Sequence, residues 1–272
     1  MYSQLLPQLK RIVCEAGDAI MHCYDDPAKW NTQQKSNDTP VTAADLAAQS
    51  CLVQGLQSLT PELPILSEED LLADWATRQQ WQKYWLLDPL DGTREFLQRN
   101  GEFTVNVALI AAGKPQLGLV YAPALETLYW GSPVLGAWRS QRLGAAEAIH
   151  VRPPGDTLQL LTSRRHSQRE TEALQILVTA GVCSSLHSQC MGSSLKLCRI
   201  AEGEADLYLR LAPTSEWDTA AAQAVLEAAG GQLVRVPEFT PLTYNDKASV
   251  ENPGFLATGQ AGPDWAKWLQ KI

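Results

Sequence analysis

Long apolar runs, paired cysteines and an excess of positive charge are all missing from this sequence of 272 residues. No run approaches the roughly 18–20 apolar residues of a membrane-spanning helix, so we expect no transmembrane segment. Residues 1–23 lack the layout of a signal peptide, and their apolar residues recur at helical spacing, which predicts an amphipathic core helix. The six cysteines form no Cys-x-x-Cys pair, so we expect free buried thiols rather than a zinc site, and a reducing cytoplasm.

Positive charge is scarce, since 22 Lys and Arg residues face 30 Asp and Glu residues and the net charge is −8. Such a surface repels a polyanion, which excludes a nucleic-acid polymer as the expected partner. A small phosphorylated substrate remains compatible with this charge if positive charge is supplied locally. The apolar fraction of 45% and the length predict a globular chain of one large or two modest domains.

The first half of the chain combines helix signals with closely spaced strand signals. A capping box of Thr42 and Asp45 predicts that a second helix begins there and continues to about Leu59. Further along, segments rich in β-forming residues alternate with glycine and proline, which is typical of an antiparallel meander. The predicted strands are 64–67, 85–87, 103–111, 116–121, 127–130 and 135–139.

The pattern changes after a segment rich in proline and glycine at 152–156. We predict a boundary there, between an α+β domain of residues 1–154 and a smaller α/β domain of residues 155–272. Beyond it, helix and strand signals alternate, as in a layered α/β unit. The expected helices are 168–180, 193–202 and 218–229, and the expected strands are 158–162, 205–209, 232–234 and 254–257.

The segment 85–93, Trp-Leu-Leu-Asp-Pro-Leu-Asp-Gly-Thr, carries the strongest chemical signal. Its apolar start predicts a buried strand that delivers Asp88 and Asp91 at the carboxyl end, where sheets commonly place ligands. Together with the Leu90 carbonyl these are hard oxygen ligands, which suit Mg²⁺ better than zinc. The alternative is a solvated acidic turn that follows a strand.

Three further residues of this segment argue against a simple surface turn. Pro89 fixes its own φ and restricts the residue before it, so the turn is stiff. Gly92 permits a tight bend and the close approach of a phosphate. The N–H groups of Gly92 and Thr93 can then bind phosphate oxygens, which makes both residues candidates for substrate binding.

Other acids are candidate ligands with plausible structural alternatives. Glu68 follows a short predicted strand and can complete a metal site with the two aspartates, or it can belong to a surface acidic cluster at 68–70. Asp218 lies in the first turn of a predicted helix, where it can bind a second metal or simply stabilise the helix through its dipole. Asp45 is equally well explained as the acid of its capping box.

Three of these segments together resemble one superfamily of phosphatases. They are Leu-Ser-Glu-Glu at 66–69, Leu-Asp-Pro-Leu-Asp-Gly-Thr at 87–93 and Trp-Asp-Thr-Ala-Ala at 217–221. Their order resembles the inositol monophosphatase superfamily of lithium-sensitive, magnesium-dependent phosphatases, along nearly the whole chain. One departure is Ala222, where the superfamily usually has glycine; the added methyl group removes no ligand.

Within the superfamily, three more segments are most similar to the bacterial 3′(2′),5′-bisphosphate nucleotidases. They are Pro-Val-Thr-Ala-Ala-Asp at 40–45, Asn-Gly-Glu-Phe-Thr-Val-Asn at 100–106 and Gly-Ser-Ser-Leu-Lys at 192–196. This resemblance implies hydrolysis of adenosine 3′,5′-bisphosphate to AMP and phosphate, with the sulfated parent nucleotide as a further substrate, in sulfur assimilation. It also implies an αβαβα layered sandwich, with the active site between an antiparallel-sheet domain and a smaller α/β domain.

The resemblance implies a role for each candidate residue. Two or three Mg²⁺ ions, one of them replaceable by inhibitory Li⁺, are held by Glu68, Asp88, Asp91, Asp218 and the Leu90 carbonyl. Glu68 and the Thr93–Asp45 pair orient and deprotonate the attacking water. The substrate contacts are Glu68, Leu90, Asp91, Gly92, Thr93, His166, Ser193, Lys196, Arg210 and Asp218, among which Lys196 and Arg210 suit a second phosphate.

Two other functions stay open at this point. One is an inositol or sugar monophosphatase of the same superfamily, which would keep the acids without depending on Lys196 and Arg210. The other is a non-catalytic, metal-dependent binding protein, which has no need to keep Thr93 and Asp45. The oligomeric state and a peripheral attachment to the cytoplasmic face of the inner membrane are also open.

Overall fold

Two sheets with helices on their faces make up the protein, whose structure is a computed structural model describing residues 2–34, 40–164, 168–259 and 265–269. The strands are β1 (Gln33–Gln34), β2 (Pro40–Val41), β3 (Ile65–Ser67), β4 (Lys83–Asp91), β5 (Thr104–Ala111), β6 (Lys114–Ala122), β7 (Thr127–Ser132), β8 (Gly136–Gln141), β9 (Ala146–Ala148), β10 (Thr157–Thr162), β11 (Ser185–Cys190), β12 (Leu207–Arg210), β13 (Gln232–Arg235) and β14 (Phe255–Thr258). The helices are α1 (Tyr2–Tyr24), α2 (Ala43–Leu59), α3 (Trp75–Arg78), α4 (Thr93–Leu97), α5 (Gln168–Leu174), α6 (Ile176–Thr179), α7 (Leu195–Ala201), α8 (Glu216–Ala228) and α9 (Trp265–Leu269), with short 3₁₀ turns at Pro27–Lys29 and Pro123–Leu125.

The first large sheet has seven strands in sequence order, β3-β4-β5-β6-β7-β8-β9. Its β3 and β4 are parallel, and the remaining neighbours are antiparallel, which confirms the predicted meander. The second sheet has the order β11-β10-β12-β14-β13, with β11 and β12 parallel to β10 and the other pairs antiparallel. A separate pair, β1 and β2, completes the strand inventory of the described residues.

The helices and sheets form five layers around apolar cores. Helices α1 and α2 pack on one face of the first sheet, where Leu9 and Leu52 meet Trp85. Helices α7 and α8 lie between the two sheets, in a core that joins Leu86 to Phe255. Helices α5, α6 and α9 cover the outer face of the second sheet. The αβαβα sandwich implied by the resemblance is thus confirmed.

Helix α8 lies almost directly on the backbone of the first sheet. A Cβ atom at Gly118 in β6 would lie 2.0 Å from the Ala221 carbonyl oxygen, and one at Gly131 in β7 would lie 2.6 Å from the Val225 Cα. Because only glycine tolerates so close an approach, these two positions set the depth at which the helix sits. The start of α8, which carries Asp218, is thereby brought to the edge of the sheet where β4 ends.

Several predicted elements are confirmed and others are wrong. Thr42 and Asp45 form the predicted capping box of α2, both halves of which are present. The helix predicted over 168–180 is two short helices, Gln168–Leu174 and Ile176–Thr179. The strand predicted over 85–87, ending in Asp88, continues to Asp91 through a bulge. Strand β11 was not predicted, since its exposed side chains lack an apolar alternation.

Three further expectations concern the domain boundary, the cysteines and a membrane-spanning helix. The division into 1–154 and 155–272 stays a prediction; residues 152–156 connect the last strand of the first sheet to the first strand of the second. All six cysteines are free, as predicted, but Cys51 is half-buried and Cys190 is exposed. Among the described helices, none has both the length and the apolar character needed to span a bilayer.

Candidate active site

Three carboxylates from distant segments meet at one edge of the first sheet. They are Glu68 just after β3, Asp88 in β4 and Asp218 in the first turn of α8, and one oxygen of each lies within 4.8 Å of the others. Because β3 and β4 are parallel, their carboxyl ends share this edge, and the Glu68 N–H donates to the Leu87 carbonyl at 3.2 Å. The acids that the sequence singled out are therefore neighbours in space.

Asp88 is the most deeply buried of these acids. Its Oδ1 accepts a hydrogen bond from the Leu90 N–H at 3.0 Å, and its Oδ2 has no hydrogen-bond partner among the described residues. Burial, followed by the charges of Glu68, Asp91 and Asp218, raises the pKa of Asp88 well above its usual value. A buried carboxylate among others is costly unless a cation neutralises it, and an all-oxygen donor set suits Mg²⁺. The residues therefore fit a divalent cation.

Asp91 lines the same cavity and is held by hydrogen bonds from two other segments. Its Oδ2 accepts from the Ser194 N–H at 2.6 Å and from Asn106 Nδ2 at 3.4 Å. Burial raises the pKa of Asp91 to about 6, and the opposing effect of the Lys196 charge is the largest that lowers it. Asp91 thus links the acidic group to the turn before α7.

Asp218 caps α8 and also lies beside the other acids. Its Oδ2 accepts from the Ser215 N–H at 2.7 Å, which makes it the acid of a second capping box. Burial and the nearby charges of Asp91 and Glu68 raise the pKa of Asp218 well above its usual value. A capping role therefore does not remove Asp218 from the site; it fixes the carboxylate there.

Asp45 has the same double character. Its Oδ2 accepts from the Thr42 N–H and from the Thr42 hydroxyl, both at 2.7 Å, while its Oδ1 accepts from the Thr93 hydroxyl at 3.2 Å. The Thr93 oxygen is also 3.4 Å from the Leu90 carbonyl oxygen. Burial is the main cause that raises the pKa of Asp45. Thr93 and Asp45 therefore form a hydroxyl–carboxylate pair at the edge of the acidic group.

Gly92 is the N-cap residue of α4, and its backbone conformation requires glycine. Its φ of +93° lies in the left-handed region, where a side chain is strained. A Cβ atom there would also lie 3.3 Å from the Glu102 carbonyl oxygen and 3.4 Å from Glu95 Oε2. The tight bend expected of Gly92 is therefore present, and the helix starts at Thr93 immediately after it.

The acids lie in a cleft that has two connected parts. A cavity of about 760 Å³ holds Glu68, Asp88, Asp91 and Asp218. A second cavity of about 560 Å³ shares Asp91 and Asp218 with it and extends to a wall rich in cations. The cations of that wall are Arg164 and Lys196, which line the second cavity alone, and Arg94 and Arg210, which line both cavities. The cleft is consequently acidic at one end and basic at the other.

Lys196 is a buried cation at the basic end. Its Nζ donates to the Ser193 carbonyl at 2.7 Å and to the Met191 carbonyl at 3.2 Å, and lies 5.1 Å from the centroid of the Tyr208 ring. Burial lowers the pKa of Lys196 to about 8, and the Asp91 charge opposes this shift. Ser193 has a positive φ of 49° and lines the same cavity, and its contact with a substrate stays a prediction.

Arg210 reaches both parts of the cleft and is firmly held. Its Nε donates to the Ala212 carbonyl at 3.0 Å, its Nη1 to Ser163 Oγ at 2.8 Å and its Nη2 to the Pro213 carbonyl at 3.2 Å. Of the other predicted nucleotide contacts, His166 lies outside the described residues.

Comparison with known proteins places this geometry in a family. The sequence model of the inositol monophosphatase family matches residues 1–266 of this chain. The chain belongs to the inositol monophosphatase family. Members of this family are metal-dependent phosphatases, so the predicted resemblance is confirmed.

Individual relatives refine the position within the inositol monophosphatase family. The chain is 47% identical over 255 residues to the 3′(2′),5′-bisphosphate nucleotidase CysQ of Salmonella typhimurium, which covers 93% of this chain and 99% of the relative. It is also 47% identical over 253 residues to CysQ of Escherichia coli K12, covering 92% and 98%. The crystal structure of CysQ from Bacteroides thetaiotaomicron matches with a TM-score of 0.82 at 34% identity, covering 96% and 98%. An inositol monophosphatase from Anabaena, at 24% identity and a TM-score of 0.72, shares the fold.

Some residues that position the candidate site were not predicted from the sequence. Ser194 donates its hydroxyl to Asn106 Oδ1 at 2.8 Å and lies 2.9 Å from the Thr104 hydroxyl, so this group holds the turn that contacts Asp91. The signal was available, because Thr104 and Asn106 are polar residues two apart in an otherwise apolar strand. Ala222, the departure from the usual glycine, is fully buried in α8 and contributes to the core between the sheets.

Proposed function

We propose that this protein is a Mg²⁺-dependent 3′(2′),5′-bisphosphate nucleotidase that hydrolyses adenosine 3′,5′-bisphosphate to AMP and phosphate. A further substrate is the sulfated parent nucleotide, and the role is in sulfur assimilation. The observation that carries the proposal is the cleft that joins an acidic end to a basic end, beside 47% identity to nucleotidases of that name. A substrate with two phosphates suits such a cleft, because one phosphate can react at the acidic end while the other binds cations.

At the acidic end, the ligands for two or three Mg²⁺ ions are the side chains of Glu68, Asp88, Asp91 and Asp218 and the carbonyl of Leu90. When bound, Mg²⁺ supplies positive charge for the phosphate and lowers the pKa of an attacking water. The protein contributes the placement of these oxygens, which the capping box of α8, the parallel strands β3 and β4, and the hydrogen bonds on Asp91 hold in position.

The chain also supplies groups that move the proton of the attacking water. Thr93 donates its hydroxyl proton to Asp45, so its oxygen lone pairs are directed to accept a hydrogen bond from that water. As the water attacks in line with the phosphate, its proton passes to the Thr93 oxygen while the Thr93 proton passes to Asp45, and Glu68 accepts the other hydrogen bond of the water. The bond from phosphorus to the ribose 3′-oxygen breaks in the same step, and that oxygen takes up a proton and leaves as a hydroxyl group. The N–H groups of Gly92 and Thr93 orient the phosphate.

At the basic end, Ser193, Lys196 and Arg210 contact the nucleotide and its second phosphate, together with His166. The partner is thus a small-molecule nucleotide rather than a nucleic-acid polymer. A cytoplasmic location, with or without attachment to the inner membrane, stays a prediction.

The substrate assignment predicts a marked preference in hydrolysis. We expect kcat/KM for adenosine 3′,5′-bisphosphate to exceed that for inositol 1-phosphate by about 10–100-fold or more, since charge-assisted hydrogen bonds to the second phosphate are strong. The rate of phosphate release in the presence of Mg²⁺ measures kcat/KM for each of the two substrates. Faster turnover of inositol 1-phosphate would favour the sugar-phosphatase alternative, and no phosphate release from any substrate would favour the non-catalytic one.

The cation assignment predicts how activity depends on metals. Activity should disappear in a chelator and return with excess Mg²⁺, because the four acids repel one another without it. Lithium at millimolar or lower concentration should inhibit, with sodium at equal concentration as the control. Full activity in chelator, or insensitivity to lithium, would contradict the cofactor proposal.

A further inference from the structure

Glu102 connects three segments at the basic end of the cleft. Its Oε2 accepts the Gly192 N–H at 2.8 Å, and the same carboxylate forms an ion pair with Arg164. Gly192 packs so closely that a Cβ atom there would lie 2.6 Å from the Glu102 carbonyl oxygen. Glu102 therefore joins the segment before β5, the turn before α7 and the segment after β10.

This connection continues to the acidic end of the cleft. The turn that begins at Gly192 also donates the Ser194 N–H to Asp91 at 2.6 Å. The guanidinium of Arg164 is thus located relative to Asp91 through Glu102 and one short turn. An ion pair on the rim of a cleft contributes little to stability by itself, but it fixes the direction of a long side chain.

The cations of the basic wall differ in how many N–H donors they have left. All three nitrogens of Arg210 donate to Ala212, Ser163 and Pro213, and Lys196 uses two of its donors on carbonyl oxygens. Within the described part of the chain, Arg164 donates through Nη2 alone, to Glu102. Since a guanidinium carries five N–H groups, Arg164 has more donors available for a ligand than Arg210 or Lys196. Arg94 also lines the cavity, but among the described residues no ion pair fixes its direction, whereas Glu102 fixes that of Arg164.

We propose that Arg164 binds the second phosphate of the substrate and that Glu102 is a positioning residue that orients it. The inference rests on the proposed function. Glu102 holds the guanidinium through Nη2, and Arg164 lines one cavity together with Lys196 and Arg210. A guanidinium presented in this way is suited to bidentate binding of a phosphate.

The first experiment compares substrates with and without the second phosphate. We expect Arg164→Met to lower kcat/KM for adenosine 3′,5′-bisphosphate about 10–100-fold more than kcat/KM for adenosine 3′-monophosphate, mainly through KM. Arg142→Met is the matched control, because Arg142 is also ion-paired and half-exposed but lies on Asp18 of α1, away from the cleft. It should leave the ratio between the two substrates unchanged.

The second experiment tests positioning. Glu102→Gln keeps an oxygen for the Gly192 N–H and loses the ion pair, so we expect a smaller rise in KM for the bisphosphate, about 3–10-fold. In the Arg164→Met background, Glu102→Gln should raise KM for the bisphosphate no further, because Glu102 acts through Arg164. If the role of Glu102 were purely structural, Glu102→Gln would lower kcat/KM equally for both substrates, and its effect would add to that of Arg164→Met.

The outcomes separate this inference from the proposed function. Suppose that the wild type hydrolyses the bisphosphate and that Arg164→Met lowers kcat/KM equally for both substrates or for neither. The role of Arg164 is then refuted, while the proposed function stands. If Glu102→Gln lowers KM for the bisphosphate, Glu102 competes with the phosphate rather than positioning Arg164. If the wild type does not release phosphate from the bisphosphate, the proposed function and the inference fail together.

Discussion

The Asp91→Asn variant is expected to hydrolyse adenosine 3′,5′-bisphosphate about a thousandfold more slowly than the wild type, because a lost metal ligand removes several kcal/mol of transition-state stabilisation. The protein should nevertheless fold. Asparagine keeps an oxygen that accepts the Ser194 N–H, so the contact between β4 and the turn before α7 survives. The measurement is kcat from phosphate release at saturating substrate and Mg²⁺.

The matched control for this variant is Asp18→Asn, since Asp18 is an exposed acid that pairs with Arg142 far from the cleft. Its turnover should equal that of the wild type. Thermal melting followed by circular dichroism shows whether each variant is folded. Near-normal turnover by a folded Asp91→Asn protein would remove Asp91 from the set of metal ligands.

The Asp88→Asn variant is expected to be inactive and yet more stable than the wild type in a chelator at neutral pH. Asp88 is buried beside Glu68, Asp91 and Asp218, and its raised pKa means that folding favours the protonated form. Without a cation, the free energy of unfolding of the wild type therefore falls as pH rises above the usual carboxyl pKa of about 4. Asparagine removes this cost and keeps the acceptor for the Leu90 N–H.

The melting temperatures of the two proteins test this expectation. Each kcal/mol of stability shifts the melting temperature by about 2–4 °C in a protein of this size, so a difference of a few degrees in chelator is measurable. The difference should shrink near pH 4, and Mg²⁺ should raise the melting temperature of the wild type much more than that of the variant. A variant that melts lower than the wild type in chelator at neutral pH would contradict the electrostatic account of Asp88.

The acidic end of the cleft was predictable from the sequence, because its signals are local. Asp88 and Asp91 lie three residues apart at the end of one strand, and the capping boxes that carry Asp45 and Asp218 each span four residues. For the last two acids, a structural and a functional explanation competed in the sequence. The structure shows that both can hold, since one oxygen caps the helix while the carboxylate lies beside the other acids or Thr93.

The basic end was less predictable, because its contacts join residues far apart in the chain. Glu102 meets Arg164 across 62 positions and Gly192 across 90, and no local pattern encodes such pairs. Strand β11 was missed for a related reason: hydrophobic periodicity reports burial, and this strand lies exposed at a sheet edge. Sequence patterns thus identify the acids more readily than the residues that we propose orient the second phosphate.

The close packing of α8 against Gly118 and Gly131 limits which segments can be exchanged between related proteins. A chimera that takes its second half from another family member imports a new α8, and with it the acid that stands at Asp218. That helix must match the glycines of the recipient's strands to within a few tenths of an ångström, or its first turn will be displaced. Exchanging the second half of the chain between homologues therefore requires glycine at the two strand positions that face the helix.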